Sequence, residues 1–288
     1  MDFHIGRLIQ HLKDTGRYNN TFFIFASDNS SEGSGAGVEP VAMNNLMLSL
    51  MDYNDDYETL GLKGSYGTIG PNFASAAASP LGYYKFYVGE GGLRVPLIIA
   101  GEPLTLSAPN SIIDAFSYAT DIVPTILQLT GTANPAGRYN GRAVEPIVGR
   151  SVVPLLQGRA QRIYGDDDAV GYELNGHRAL FLGDHKIVYN RPPIGDGIWH
   201  LYNIAIDPGE TEDLKEQQPQ RFARMQSLYE QFVVEHGVLP VAEDFDPQQV
   251  MFAGLVRDRF GGYLIALFCV VIALLAFGLY RKRRLRVR

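Results

Sequence analysis

Apolar residues near the start of the chain recur with the period of a helix. They follow the spacing i, i+3, i+4, i+7 at Ile5, Leu8, Ile9 and Leu12. This spacing predicts an amphipathic helix over residues 2–15, with Gly16 as its C-terminal cap. A continuous apolar and aromatic run from Thr21 to Ser27 then ends abruptly in polar residues. Such a run predicts a strand buried on both faces of a parallel sheet.

Two further apolar segments extend this α/β pattern. Residues 94–101 resemble a second buried strand, and residues 118–129 are typical of a helix that begins at or just before Pro124. The stretch between the two predicted strands is long and rich in Gly, Ser and Tyr. We therefore expect residues 1–165 to form part of a mixed-sheet α/β domain.

The pattern changes after residue 165. Residues 177–190 are typical of two short strands joined by a turn at Gly183–Asp184, and residues 199–204 of another strand. Residues 221–236 have the pattern of a closing helix. We expect residues 166–240 to form a small antiparallel α+β subdomain.

The last part of the chain has the composition of a membrane anchor. Residues 261–280 form a segment of 20 residues without a charge, long enough to cross a bilayer as a helix. Residues 241–260 would be the juxtamembrane linker. Residues 281–288 carry six basic side chains, which the positive-inside rule places in the cytoplasm. Residues 1–260 would then lie on the other side of the membrane.

Charge and cysteine usage narrow the range of functions. Six of the 25 basic residues lie in the tail, which leaves 19 against 31 acidic residues and a net charge of about −12 for residues 1–280. An acidic body argues against a nucleic-acid partner. The one cysteine, Cys269, lies in the apolar segment. The exported part therefore contains no disulfide.

Asp28 and Asn29 are the candidate functional residues that the pattern itself indicates. They follow the first predicted strand directly, and in open α/β sheets ligands bind beyond the carboxyl ends of the strands. A carboxylate and an amide oxygen together suit a hard cation such as Ca²⁺ or Mg²⁺. Both residue types also favour turns. Local sequence alone leaves a turn and a metal site open.

Six blocks along residues 2–235 resemble the sulfatase family of the alkaline phosphatase superfamily, in the family's order. They are HIGRLIQHLKDTGRYNNTFFIFASDNS, YYKFYVGEGGLRVPLII, ATDIVPTILQLTG, GRSVVPLLQG, NGHRALFLGDHKIV and WHLYNIAIDPGETEDL. The stretch SYGTIGPNFASAAASPLGYYK is similar to the bacterial arylsulfatase branch. The resemblance implies an alkaline-phosphatase-like α/β domain with a smaller C-terminal subdomain. It also implies hydrolysis of sulfate esters at a calcium site by a formylglycine nucleophile.

The resemblance assigns roles to three residues. Asp28 and Asn29 match metal ligands of the family, with Ca²⁺ as the expected ion and Mg²⁺ as the alternative. Lys85 matches the lysine that contacts the sulfate group. Glu90 and Arg94 are expected to brace their loop internally rather than touch substrate. None of the six histidines matches a catalytic one.

The chain departs from the family pattern in two ways. Ser30 stands where the family has Gly, so a turn needing a positive φ would be strained there. More importantly, no Cys/Ser-x-Pro/Ala-x-Arg motif, from which formylglycine is made, occurs in the sequence. The segment Ser107–Ser111 comes nearest but ends in Ser instead of Arg, and Cys269 lacks the motif. The paired aspartates of the first half of the metal site are missing too.

The resulting hypothesis is the C-terminal part of a membrane-anchored arylsulfatase-type hydrolase acting on a sulfate ester. Its N-terminal half would lie upstream or on a partner chain, and the present chain would be inactive in isolation. The soluble part is expected in the periplasm. Two alternatives stay open: a non-catalytic, membrane-tethered sulfatase-like binding module or inactive fragment, and a phosphodiester or phosphonate hydrolase.

Overall fold

The computed structural model describes most of the chain up to residue 242 and a smaller share beyond it. The described residues are 1–33, 48–49, 51–102, 104, 106–192, 195–242, 245, 250, 253–254, 257–263, 265–266, 268–272 and 274. The chain divides into two compact units, Met1–Val238 and Leu239–Arg288.

The first unit begins with a helix and a pair of strands. Helix α1 spans Asp2–Asp14, and strand β1 spans Phe23–Ala26. Gly16 follows α1 with a φ of 67°, the left-handed conformation expected of a glycine that ends a helix. Short helices follow at α2 (Gly70–Ala78) and α3 (Glu90–Leu93), before strand β2 (Leu97–Ala100).

The middle of the chain contains helix α4 and short elements. Helix α4 spans Ile122–Thr130, the small strands β3 and β4 span Arg138–Tyr139 and Arg142–Ala143, and helix α5 spans Val153–Leu156. A short 3₁₀ turn, Ala119–Asp121, precedes α4. The predicted helix over 118–129 is thus confirmed, and it begins at Ile122, two residues before the proline.

Strands β1 and β2 correct one prediction. They pair antiparallel with each other, Phe23 opposite Ala100, and β1 has no second neighbour among the described residues. Their side chains are half-buried or exposed, with Phe25 36% and Ile98 56% accessible. The prediction of a doubly buried parallel strand was therefore wrong for this chain. The residues of β1 have the apolar composition of a strand buried on both faces. Such burial also requires neighbouring strands and covering helices, and the described residues supply only β2.

The antiparallel sheet of the C-terminal part is well buried. It contains β5 (Ala169–Leu174), β6 (His177–Leu182), β7 (His185–Tyr189) and β8 (Trp199–Asn203), paired in that order. Helix α6, Pro219–His236, packs on it through Met225 and Tyr229. The buried partners from the sheet are Leu180, Leu182, Ile187 and Leu201. The predicted hairpin at Gly183, the strand after it and the closing helix are all confirmed.

A buried carboxylate joins α4 to the segment that follows residue 148. Asp121 is 1% exposed and accepts hydrogen bonds from the backbone N–H groups of Tyr118 and Arg150, each at 2.7 Å. The Tyr164 hydroxyl donates a third bond to it at 2.6 Å. Because an unpaired buried carboxylate is costly, these bonds explain how an acidic residue is tolerated there.

The second unit contains the predicted membrane segment. No helix built from the residues that the structure describes is long and apolar enough to cross a bilayer. Residues 264, 267, 273 and 275–280 of the predicted segment, and the whole 281–288 tail, lie outside the described residues. The membrane anchor stays a prediction.

Candidate functional site

Asp28 and Asn29 form a polar turn directly after β1. The Asn29 amide donates from Nδ2 to Oδ2 of Asp28 at 2.6 Å, and the Ser27 hydroxyl donates to the Asn29 carbonyl at 2.7 Å. Asp28 is exposed and Asn29 half-buried. Ser30 is not among the residues with a positive φ, so the strain expected from its replacing glycine does not arise.

The segment after this turn leads to Lys85. The backbone N–H of Lys85 donates to the carbonyl of Ser31 at 3.1 Å. Since Ser31 is two residues after Asn29, their Cα atoms lie at most about 7 Å apart. The Ser31 hydroxyl also donates to the Ala74 carbonyl in α2 at 2.8 Å. The structure thus brings the candidate metal ligands and the candidate sulfate-binding lysine into one neighbourhood.

Glu32 is a residue of this neighbourhood that sequence reasoning missed. Its Oε2 lies 2.6 Å from Nζ of Lys85, and the two side chains are 38% and 31% exposed. Glu32 lies in a Ser- and Gly-rich stretch that predicts only a loop, so nothing local marks it as a partner of Lys85. An anion that binds Lys85 has to compete with this carboxylate.

Lys85 belongs to a tightly wound loop, residues 82–93, which we call the lysine loop. Its two ends meet where the Gly91 N–H donates to the Gly82 carbonyl at 2.7 Å. Tyr83 and Phe86 have positive φ angles of 68° and 83°, which are unusual for bulky residues. Tyr87 packs against Tyr84 with ring centres 5.2 Å apart. Aromatic packing and a hydrogen bond across its base connect the two sides of the loop.

A buried triad of charged side chains connects the lysine loop to the C-terminal sheet. Lys186 of β7 donates from Nζ to Glu90 at 2.8 Å and to Glu210 at 2.9 Å. The side chains of Lys186, Glu90 and Glu210 are 0%, 6% and 4% exposed. The prediction that Glu90 braces the loop internally is confirmed. Arg94 also pairs with another residue of the chain, through a 3.6 Å ion pair with Asp114 at the surface.

Burial and charge shift the pKa values of Lys186 and Glu210. Burial by itself lowers the pKa of Lys186, but Glu210 and Glu90 outweigh it and hold that pKa above its usual value. Burial raises the pKa of Glu210, against the opposing effect of Lys186. Lys186 therefore stays protonated at neutral pH and neutralises part of the charge that the glutamates bring into the interior.

The histidines described in the C-terminal sheet have structural partners. His200 lies between two carboxylates, 2.7 Å from Asp213 and 2.8 Å from Asp196. His177 lies 3.2 Å from Oδ1 of Asn190, and burial lowers its pKa. That neither histidine is catalytic stays a prediction.

The donor set at Asp28 and Asn29 fits part of a cation site. A carboxylate with an amide oxygen suits Ca²⁺ or Mg²⁺, but Ca²⁺ takes 6–8 oxygen ligands. Within the part of the chain that the structure describes, no three His, Cys, Asp or Glu side chains gather into a metal-binding group. The two residues therefore need ligands from elsewhere to complete a site.

The fold and the site together define the class of protein: an α/β protein with part of a cation site close to a lysine. An α/β unit presents a carboxylate–amide pair at a strand end near a lysine, and a separate antiparallel sheet supports the lysine loop. Residues 1–132 match the family model described as Sulfatase. This match covers 132 of the 288 residues and confirms the resemblance to the sulfatase family that the motifs predict.

Known relatives agree with this resemblance. A Schizosaccharomyces pombe protein described as an uncharacterized sulfatase is 34% identical over 251 residues, covering 87% of this chain and 44% of the relative. Klebsiella aerogenes arylsulfatase is 29% identical over 154 residues, covering 53% and 32%. A solved structure from work on glycosaminoglycan metabolism by Bacteroides thetaiotaomicron has a TM-score of 0.52 at 18% identity, covering 80% and 42%. The chain spans less than half the length of each.

Proposed function

We propose that the chain is the C-terminal part of an arylsulfatase-type sulfuric ester hydrolase. The observation that carries this proposal is the Ser31–Lys85 hydrogen bond at 3.1 Å, since it brings the sulfate-binding candidate next to the metal-ligand candidates. The family resemblance supplies the reaction class.

Three residues would act on the substrate's sulfate group. Asp28 and Asn29 would hold Ca²⁺, or Mg²⁺ as the alternative, and the bound ion would supply positive charge to the sulfate oxygens. The ammonium of Lys85 would donate hydrogen bonds to the same group and stabilise charge that develops there. Lys85 would exchange its ion pair with Glu32 for one with the sulfate.

The remaining parts of the site would come from an N-terminal sulfatase portion, either upstream or on a partner chain. No side chain of α1 is buried, and β1 and β2 expose apolar residues on a two-stranded sheet. Among the described residues this apolar surface is uncovered and the strand edges are open, which suits docking of further sheet and helix. The relatives' greater length is consistent with such a portion.

Membrane anchoring belongs to the same proposal. The 20 uncharged residues of 261–280 would cross the bilayer, with the basic tail in the cytoplasm. The catalytic part would then face the extracytoplasmic side, which is the periplasm if the organism is a bacterium with two membranes.

A non-catalytic, membrane-tethered binding module is the second candidate. Two observations favour it: this sequence contains no formylglycine motif, and Lys85 forms an ion pair with Glu32. Such a module would bind sulfated ligands without turning them over.

Two measurements distinguish the candidates: the coding DNA sequence upstream of Met1, and the rates at which the completed protein hydrolyses sulfate and phosphate esters. We expect an in-frame Cys/Ser-x-Pro/Ala-x-Arg motif upstream of Met1 or on a co-expressed chain. We also expect the completed protein to hydrolyse 4-nitrophenyl sulfate faster than the matching phosphate mono- and diesters. A stop codon upstream with no such motif, together with sulfate binding but no turnover, would favour the binding module. Faster hydrolysis of a phosphate diester or a phosphonate would instead identify the protein as a phosphodiester or phosphonate hydrolase.

A further inference from the structure

We propose that Lys186, Asn190 and Glu210, all from the C-terminal part, are positioning residues for Lys85. They would act by fixing the backbone of the lysine loop, so that the ammonium of Lys85 is presented to an anion in one orientation. The inference rests on the proposed role of Lys85 in sulfate binding.

Two buried side chains accept backbone N–H groups on the C-terminal side of Lys85, and a third binds the Glu90 side chain. Oδ1 of Asn190 accepts the Val88 N–H at 3.0 Å, and Oε2 of Glu210 accepts the Glu90 N–H at 2.8 Å. Lys186 donates to the carboxylate of Glu90 at 2.8 Å. All of these contacts lie within five residues of Lys85.

The conformation that these contacts hold is one that the loop would not adopt freely. Phe86, next to Lys85, has a φ of 83°, and bulky residues persist in that region only when their surroundings impose it. On the other side, the Lys85 N–H is tied to Ser31. The strained residue thus lies between one anchor in the candidate site and two anchors in the C-terminal part.

The docking also explains the glycines on either side of Glu90. A Cβ at Gly89 would lie 2.9 Å from Oε2 of Glu210 and 2.5 Å from the Tyr83 ring, and one at Gly91 would lie 2.4 Å from the Tyr83 carbonyl. A side chain at Gly89 would push the loop away from Glu210, and one at Gly91 would collide with the backbone of the loop itself. The Gly-Glu-Gly run is therefore suited to this close approach.

Glu210→Gln is the sharpest perturbation of this arrangement. Oε1 of Glu210 accepts from Lys186 and Oε2 accepts from the Glu90 N–H. Glutamine offers one oxygen and one NH₂, so either orientation sets a donor against a donor. Glu212→Gln, an exposed position two residues away, is the matched control.

Two measurements on the full chain test the inference without substrate. In Glu210→Gln, amide hydrogen exchange over residues 83–93 should accelerate about tenfold or more, while exchange over 219–236 and in the Glu212→Gln control stays unchanged. Acylation of Lys85 should rise relative to Lys63, which is exposed. Unchanged exchange over 83–93, or equal acceleration over 219–236, would overturn the inference.

Turnover of 4-nitrophenyl sulfate supplies a readout that a merely structural role would not move. The enzyme is a chimera in which this chain replaces the C-terminal part of Klebsiella aerogenes arylsulfatase. Glu210→Gln should lower kcat/KM severalfold in the parent chimera and have no further effect once Lys85 is alanine. Equal effects in both backgrounds would contradict the positioning role. If Lys85→Ala itself leaves kcat/KM unchanged, the proposed function fails. The hydrogen-exchange result still tests whether Glu210 fixes the backbone of the lysine loop.

Discussion

Replacing Lys186 by methionine removes the only cation described in the buried triad while preserving the length of the side chain. Glu90 and Glu210 would then face each other with side chains 6% and 4% exposed and no positive partner. Removing one member of a buried ion pair typically costs about 3–5 kcal/mol, because the remaining charge is left uncompensated. We therefore expect Lys186→Met to lower the free energy of unfolding by about that amount.

Urea unfolding followed by Trp199 fluorescence measures this loss. Trp199 is the one tryptophan in the sequence, and its ring packs 5.0 Å from Tyr229 of α6, next to the core of the antiparallel sheet. With a slope of about 2 kcal/mol per molar urea, the midpoint should fall by about 1.5–2.5 M. Lys215→Met is the control, since its pair with Asp213 is partly exposed and worth at most about 1 kcal/mol.

The pH dependence of the difference provides an internal check. Burial raises the pKa of Glu210 and Lys186 opposes that rise. Without Lys186 the folded-state pKa of Glu210 rises further above that of the unfolded chain, so the variant regains stability as Glu210 is protonated. The deficit relative to the parent should shrink as pH falls from about 7 to 5. A loss no larger than that of Lys215→Met, or a deficit that does not change with pH, would refute the reasoning.

Two further predictions concern other buried groups. Burial raises the pKa values of three phenols to about 12, whereas an unfolded tyrosine ionises near pH 10, so the folded protein should lose stability as pH rises from about 10 to 12. Circular dichroism measures the loss of structure, and tyrosinate absorbance measures the ionisation. Ionisation of every tyrosine near pH 10 in the folded protein would contradict this prediction. These phenols are Tyr87, Tyr118 and Tyr229. Asp121→Asn places an amide NH₂ against at least one of three donors and should cost about 1–3 kcal/mol in thermal unfolding. The exposed Asp114→Asn should cost almost nothing, and equal losses would show that Asp121 is not satisfied as described.

The antiparallel sheet could be predicted because its local signals agree with its surroundings. Gly183 has a φ of 58° in a tight turn between two apolar strands, and the turn and the strands predict the same hairpin. Strand β1 shows the opposite case. Its residues suit burial on both faces, but whether neighbouring strands cover them is decided outside the run itself. The pattern therefore predicted the strand correctly and its neighbours wrongly.

The residues that support Lys85 could not have been predicted locally. Lys186 lies 96 residues from Glu90 and 24 from Glu210, and a lysine within a strand normally indicates a solvent-facing position. Glu32 pairs with Lys85 across a segment of more than fifty residues that has little periodicity. The turn residues Asp28 and Asn29 were identifiable because they follow a strand directly. Charge partners distant in sequence become apparent only once the fold brings them together.

The most direct test of the central claim is the hydrolysis of 4-nitrophenyl sulfate by the arylsulfatase chimera with Lys85 intact or replaced by alanine. We predict calcium-dependent turnover that falls by about 10²-fold or more in Lys85→Ala, the loss typical of removing one group that stabilises charge in the transition state. Lys63→Ala, at an exposed lysine outside the lysine loop, should retain full activity. An active chimera in which Lys85→Ala turns over as fast as Lys63→Ala would contradict the claim that this chain supplies the sulfate-binding lysine.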